Sequence, residues 1–235
     1  HIQFLGDTLG EIAKEKAGII KHKVPVVVGR KQGETVNVFD FFAIQNKTKI
    51  YWAENEQENY ISDWKGWYQK ENIKTAYTTL KVLQEINWDI PSDSITNGFL
   101  NIVKNTSLKG RWQSLGESPK VICDTGHNED GVRQITAQLK SEIYEELHIV
   151  WGMVNDKDAS SILKLLPKKA RYYWCKPKVD RGLEVSRLVE LAEELNLVGE
   201  EFSSVELAKN KALSCANSND FIFIGGSTFV VSEVL

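Results

Sequence analysis

The sequence predicts an α/β fold built on a mostly parallel sheet with helices on both faces. Two observations predict it. Beyond residue 120, short apolar runs alternate with amphipathic helical segments. The runs are also continuously apolar rather than alternating, as strands buried on both faces must be.

The elements follow in chain order. Thr8-Leu9-Gly10-Glu11 fits a capping box, a Thr followed three residues on by Glu. Leu9, Ile12, Ala13 and Ala17 then recur at helical spacing, and Gly18 is placed to stop the helix. Residues 24–28 read as a buried strand, with Pro25 near its start where a missing N–H is tolerated. Residues 31–68 are harder, because Val36, Val38, Phe39, Phe41 and Phe42 mix periods. Residues 49–52 read as a strand, and residues 53–63, rich in Glu and Asn, as a solvated loop or hairpin. Residues 72–86 form a clear helix whose apolar face is Ile73, Ala76, Tyr77, Leu80 and Leu83. Pro91 and Ser92 open a second short helix carrying Ile95 and Phe99. The polar run 104–110 with its closing Gly reads as a linker. Strands are then expected at 121–123, 147–151, 171–175 and 221–224, with a weak one ending near Phe202. Between them lie a helix bearing Val132, Ile135 and Leu139 and helices at 159–166, 183–195 and 205–215.

Composition narrows the function. A chain of 235 residues, 42% hydrophobic and 26% charged, is that of a globular protein with a sizeable core. A net charge of −3 gives no footprint for nucleic acid or an anionic membrane. No run of eighteen apolar residues suggests a transmembrane helix, and no signal peptide opens the chain. Cys123, Cys175 and Cys215 are far apart, with no C-x-x-C pair, which points to reduced thiols in the cytoplasm. The start at His1, without methionine, reads as a cut inside a domain.

Parallel sheets bind ligands at the carboxyl ends of their strands, and the notable loops fall there. Strand 121–123 runs into Asp124-Thr125-Gly126-His127-Asn128. Strand 147–151 runs into Gly152 and then Asp156-Lys157-Asp158, and strand 221–224 into Gly225-Gly226-Ser227. Asp124 is placed to accept hydrogen bonds from two ribose hydroxyls. His127, near a helix N-terminus, is placed to bond a nucleotide or to orient Asp124. The same residues are common turn formers, and spacing alone does not choose between the readings.

These strings carry a resemblance. Asp124-Thr125-Gly126-His127-Asn128 resembles the D-x-A/G-H-N segment of folylpolyglutamate synthases and dihydrofolate synthases, ATP-dependent amide ligases related to those that build peptidoglycan. Gly110-Arg111-Trp112-Gln113 resembles their G-R-x-Q segment, Asp156-Lys157-Asp158 their D-K-D turn, and Gly225-Gly226-Ser227 with Glu233-Val234-Leu235 their ending. At the front, residues 1–20 resemble H-x-x-x-L-G…I-A-x-E-K-A-G-I, and Gly66-Trp67-Tyr68-Gln69 with Asn72 resembles G-x-Y-Q-x-x-N. Thr125 and Glu129 depart mildly from the commonest pattern.

The resemblance implies a fold in two parts. Residues 1–103 would be the C-terminal part of a nucleotide-binding α/β domain, 104–109 a linker, and 110–235 a Rossmann-like α/β domain. It implies ATP and Mg²⁺, a folate or dihydropteroate carboxylate activated as an acyl phosphate, L-glutamate as the amine, and a monomer. By the same resemblance His1 ligates magnesium and Lys16 is carbamylated, which turns a cation into an anionic oxygen ligand. Arg111 would bind phosphate through its guanidinium fork, Asn72 would contact adenine, and Asp124 and His127 would serve the nucleotide. Arg181, also in a loop after a strand, is a weaker candidate, and His22 and His148 read as structural or surface residues. The sequence contains no G-x-x-x-x-G-K-[ST], so this chain alone is expected to be inactive. Two other readings stay open: a peptidoglycan-type amino-acid ligase, and a non-catalytic nucleotide-binding module.

Overall fold

The computed structural model describes residues 6, 8–58, 60–155 and 158–235. They fall into two compact units, one of residues 1–63 and 69–102, the other of residues 64–68 and 103–235.

In the first unit the capping box is formed. Thr8 Oγ1 accepts from Glu11 N at 3.2 Å and the Glu11 carboxylate accepts from Thr8 N at 3.1 Å, starting helix α1 (Leu9–Ala17). Gly18 closes it in ordinary right-handed backbone, φ −57°, so the left-handed stop that a Gly permits is not used. Strand β1 (Val26–Val28) pairs in parallel with β2 (Ile50–Trp52), and both are half-buried throughout. Between them lies helix α2 (Gly33–Gln45), in the stretch of mixed periods. A 3₁₀ turn (Ala53–Asn55) opens the segment expected as a loop or hairpin. Helix α3 spans Gln69–Glu85, starting three residues before the sequence suggests, and α4 spans Ser92–Leu100. Ile73 of α3 and Ile95 and Phe99 of α4 form the unit's apolar cluster with Tyr60, Tyr77 and Leu80 packed against it.

The main segment of the second unit, from residue 103, opens in a short helix, α5 (Ile102–Thr106), whose first residue belongs to the first unit and which covers the first part of the expected linker. Strand β3 (Gln113–Glu117) pairs antiparallel with β4 (Lys120–Cys123), with a bulge between Ser114 and Gly116. There follow α6 (Glu129–Leu139), β5 (Leu147–Trp151), α7 (Ala159–Leu163), β6 (Arg171–Cys175), α8 (Val185–Glu194), β7 (Gly199–Phe202), α9 (Val205–Cys215), β8 (Phe221–Gly225) and α10 (Thr228–Ser232). The sheet order is β3-β4-β8-β5-β6-β7, parallel except for the β3–β4 pair.

Side-chain parity explains the two-sided burial. Leu147, Ile149 and Trp151 of β5, with Tyr172 and Trp174 of β6 and Phe221 and Phe223 of β8, face the helices α6, α7 and α8. Val150, Tyr173, Cys175, Ile222 and Ile224 face α9 and α10 on the other side. Every residue of β5 and β8 is buried. Each large side chain so placed contributes about 1.5–3 kcal/mol relative to exposure. The three cysteines are unpaired, and burial pushes the Cys123 thiol up to about 12. No helix among the described residues is long and apolar enough to cross a membrane.

Candidate functional site

The second unit's distinctive chemistry lies at the carboxyl end of β4. The strand delivers Asp124 into the interior, 0% exposed, where its carboxylate accepts three hydrogen bonds. Oδ2 accepts from the Tyr68 hydroxyl at 2.6 Å and from Trp112 N at 2.7 Å; Oδ1 accepts from Gly126 N at 2.8 Å. The three donors come from separate stretches of chain. Burial raises the Asp124 pKa above the ordinary carboxylate value, while these donors and the charge of Arg111 pull the other way. Burial and the facing Asp124 charge also raise the Tyr68 hydroxyl. Enclosed by these three donors, the Asp124 carboxylate organises the loop from inside.

What it organises is Arg111. Gly110 has φ +73°, and a Cβ there would meet Thr125 Cγ2 at 2.8 Å, so only glycine fits this turn. The Gly110 N–H donates to Gln113 Oε1 at 2.8 Å, and its carbonyl accepts from Thr125 N at 2.9 Å. Trp112 is also left-handed, φ +47°, a strain of about 1–3 kcal/mol for a residue with a side chain. It is held there by its N–H to Asp124 and by its indole, 4% exposed, packed near Phe221 and Phe223. Arg111, between these two anchored left-handed residues, is exposed, with its guanidinium beside the Tyr68 hydroxyl.

His127 is half-buried, and its Nδ1 lies 3.0 Å from the Thr125 carbonyl. A carbonyl only accepts, so Nδ1 donates and a neutral ring keeps its Nε2 lone pair. Its bond therefore runs to Thr125 rather than to Asp124. Asn128 caps α6, its side chain accepting from Gly131 N at 2.8 Å. At the end of β8, Gly226 has φ +97°, and a Cβ there would come within 2.4 Å of the Gly152 carbonyl. Ser227 caps α10, accepting from Val230 N at 3.1 Å. Asp158 caps α7 through Ser161, whereas Asp156 and Lys157 lie outside the described residues. Arg181 lies over the Phe229 ring, 4.7 Å from its centroid.

The structure thus brings Arg111, Asp124 and His127 into one loop cluster. Lys16 and Asn72 belong to the other unit. Lys16 is exposed in the last turn of α1. Asn72 is exposed in the first turn of α3, its amide donating to Gln69 Oε1 at 2.7 Å; it is a residue within the helix rather than its cap. His1 lies outside the described residues.

Tyr68 is the residue that sequence reasoning quoted without a role. Its segment is pinned by Gln138 of α6, 4% exposed, whose Oε1 accepts from Trp67 N at 2.8 Å and whose Nε2 donates to Lys65 O at 3.1 Å. The only sequence signal for this was the G-x-Y-Q string.

Residues 110–228 match the model of the family described as Mur ligase, glutamate ligase domain. A probable bifunctional folylpolyglutamate synthase/dihydropteroate synthase of Haloferax volcanii is 28% identical over 259 residues, covering 99% of this chain and 30% of that protein. The solved structure titled E. coli FolC in complex with DHPP and ADP superposes with a TM-score of 0.84 at 25% identity, covering 100% of this chain and 57% of that one. A bifunctional folylpolyglutamate synthase/dihydrofolate synthase with Mn, AMPPNP and L-glutamate bound superposes with a TM-score of 0.78 at 25% identity, covering 98% and 57%. The chain thus spans 30% to 57% of the length of these relatives. With the family model matched across the sheet and its loops, and both kinds of relative aligned along nearly the whole chain, the chain belongs to the Mur ligase family, in its folylpolyglutamate synthase/dihydrofolate synthase branch.

Proposed function

We propose that this chain serves an ATP-dependent carboxylate–amine ligase that joins L-glutamate to a folate or dihydropteroate carboxylate through an acyl phosphate. The observation that carries the reading is Arg111, exposed on a turn that the buried Asp124 fixes from within. A permanent cation on a strained, over-determined backbone supports a role in meeting phosphate oxygens, where charge neutralisation is most of the catalysis. His127, with Nδ1 committed to Thr125, offers Nε2 as an acceptor at the same loop. Relatives with ADP, with AMPPNP and Mn, and with L-glutamate support a nucleotide, a divalent metal and a glutamate substrate. Magnesium as that metal, a monomeric state and a cytoplasmic location belong to the same proposal.

ATP would be met by Arg111 and His127, and its chemistry is to turn the carboxylate's oxide into a phosphate leaving group. Asp124 holds the two loops in register. Lys16 as a carbamate, His1 as a metal ligand and Asn72 at adenine complete the proposal on family resemblance. The sequence has no Walker-type phosphate loop, so the chain alone is expected to turn nothing over.

The test is ADP release with Mg-ATP and glutamate, by a protein carrying this chain together with a phosphate loop. Dihydropteroate is compared with a reduced folate as acceptor. Acceptor-dependent release, falling roughly 100-fold in Arg111→Ala, is expected. Release indifferent to both acceptors would overturn the folate reading and favour a peptidoglycan-type acceptor or a module without the reaction.

A further inference from the structure

The amino-terminal edge of the second unit's sheet, opposite the loops just described, holds a separate polar cluster. Strand register assembles it. Glu146 directly precedes β5 and Asp220 directly precedes β8, and Leu147 pairs with Phe221, which sets the two carboxylates side by side. His148 lies two residues beyond Glu146, hence on the same face, and pairs with Arg171 of β6.

The His148 side chain is 0% exposed. Its Nδ1 lies 2.9 Å from the Tyr173 hydroxyl, which is itself bonded to Cys215. Its Nε2 has no hydrogen-bond partner and lies 3.5 Å from Asp220 Oδ2 and 3.7 Å from Glu146 Oε2. The three side chains present ligand atoms within 4.8 Å of one another. At 3.5 and 3.7 Å from the two carboxylate oxygens, this buried nitrogen makes only long contacts, and a cation among the three would shorten them all.

The geometry points to a divalent cation of the zinc class held by His148 Nε2, Asp220 and Glu146. One imidazole and two carboxylates suit zinc and leave a fourth position for water. Ligand bonds of 2.0–2.1 Å in a tetrahedron place donor atoms roughly 3.4 Å apart, close to the separations from Nε2. The surrounding bonds are those that orient metal ligands. Tyr173 takes Nδ1; the Glu146 and Asn217 N–H groups donate to Asp220 at 3.0 and 2.7 Å; Arg171 Nε lies 3.2 Å from Glu146 Oε2. The Arg171 charge opposes a cation, but its side chain is 59% exposed and screened by water. Glu146, 45% exposed, leaves a way in. Such an ion would clamp β5 to β8, a structural role independent of the proposed ligation.

The test is titration of the full chain with Co²⁺ alone, read by the visible band of tetrahedral cobalt, and then displacement by Zn²⁺. It is made in a His1→Gln, His22→Gln background to remove two other rings. One equivalent is expected, its affinity falling at least about 10-fold in His148→Gln and in Glu146→Gln. Glu146→Gln alters a half-exposed side chain, so circular dichroism should match the parent and keep the test decisive. A band unchanged in both variants overturns the proposal. So does a chain that binds no cobalt and whose His148 ring is doubly protonated by ¹⁵N NMR at neutral pH, a proton then supplying the charge.

Discussion

Both units contain parallel strand pairs but bury them differently. In the second, β5 and β8 are buried at every residue and helices lie on both faces. In the first, β1 and β2 are three residues each and half-buried throughout. Burial on both faces makes a strand's contribution large and its sequence unmistakable. A short pair buried by half has less to lose and less to show.

Substitutions can break that comparison. Trp151→Ala, which empties a fully buried site of β5, is expected to cost about 3–5 kcal/mol. Val27→Ala in β1 is expected to cost less than about 1.5 kcal/mol, since only half-buried methyl groups are removed. Native-state hydrogen exchange resolves each unit separately, and equal losses would refute the contrast.

Tyr68→Phe comes next, at about 1.5–3 kcal/mol for a hydrogen bond to a charged group. Its sign with pH is fixed by Asp124. A folded pKa above the unfolded value gives stability that is fully present below the unfolded pKa and lost as pH rises through the folded one. Removing the Tyr68 donor raises the folded pKa further. The gap in melting temperature between wild type and Tyr68→Phe should therefore be widest at neutral pH and narrow as the solution is acidified. A gap that widens in acid would overturn the account. The smallest effect is expected at Arg111→Ala, within about 0.5 kcal/mol of wild-type stability because the side chain is exposed, despite the large loss of activity proposed above. A large loss of stability there would mean that the guanidinium holds the loop rather than serving a ligand.

Legibility followed the same contrast. Residues 147–151, 171–175 and 205–215 are the observed β5, β6 and α9 to the residue, because burial of every strand residue but Arg171 and a cap at Ser204 leave no competing pattern. Helix α2 was illegible because Phe41 is 60% and Ile44 77% exposed and Gln32 makes no side-chain cap, so apolar residues fall on more than one face. Strand β3 was missed because its bulge breaks the period of two. At the candidate site, Arg111, Asp124 and His127 were legible as strings. That Asp124 is buried, and that Tyr68 reaches it from 56 residues away, is tertiary information that no local period encodes.

Residues 64–68 belong to the second unit, yet the chain returns to the first at Gln69 and stays there to Ile102. During synthesis that pentapeptide leaves the ribosome well before Asp124 and Gln138 exist to receive it. A gene trimmed to begin where the family match begins, at residue 110, would encode every strand of the large sheet but not the Tyr68 hydroxyl or the backbone groups of Lys65 and Trp67. The functional boundary for cutting and splicing this protein therefore lies upstream of Trp64, inside what reads as the neighbouring unit.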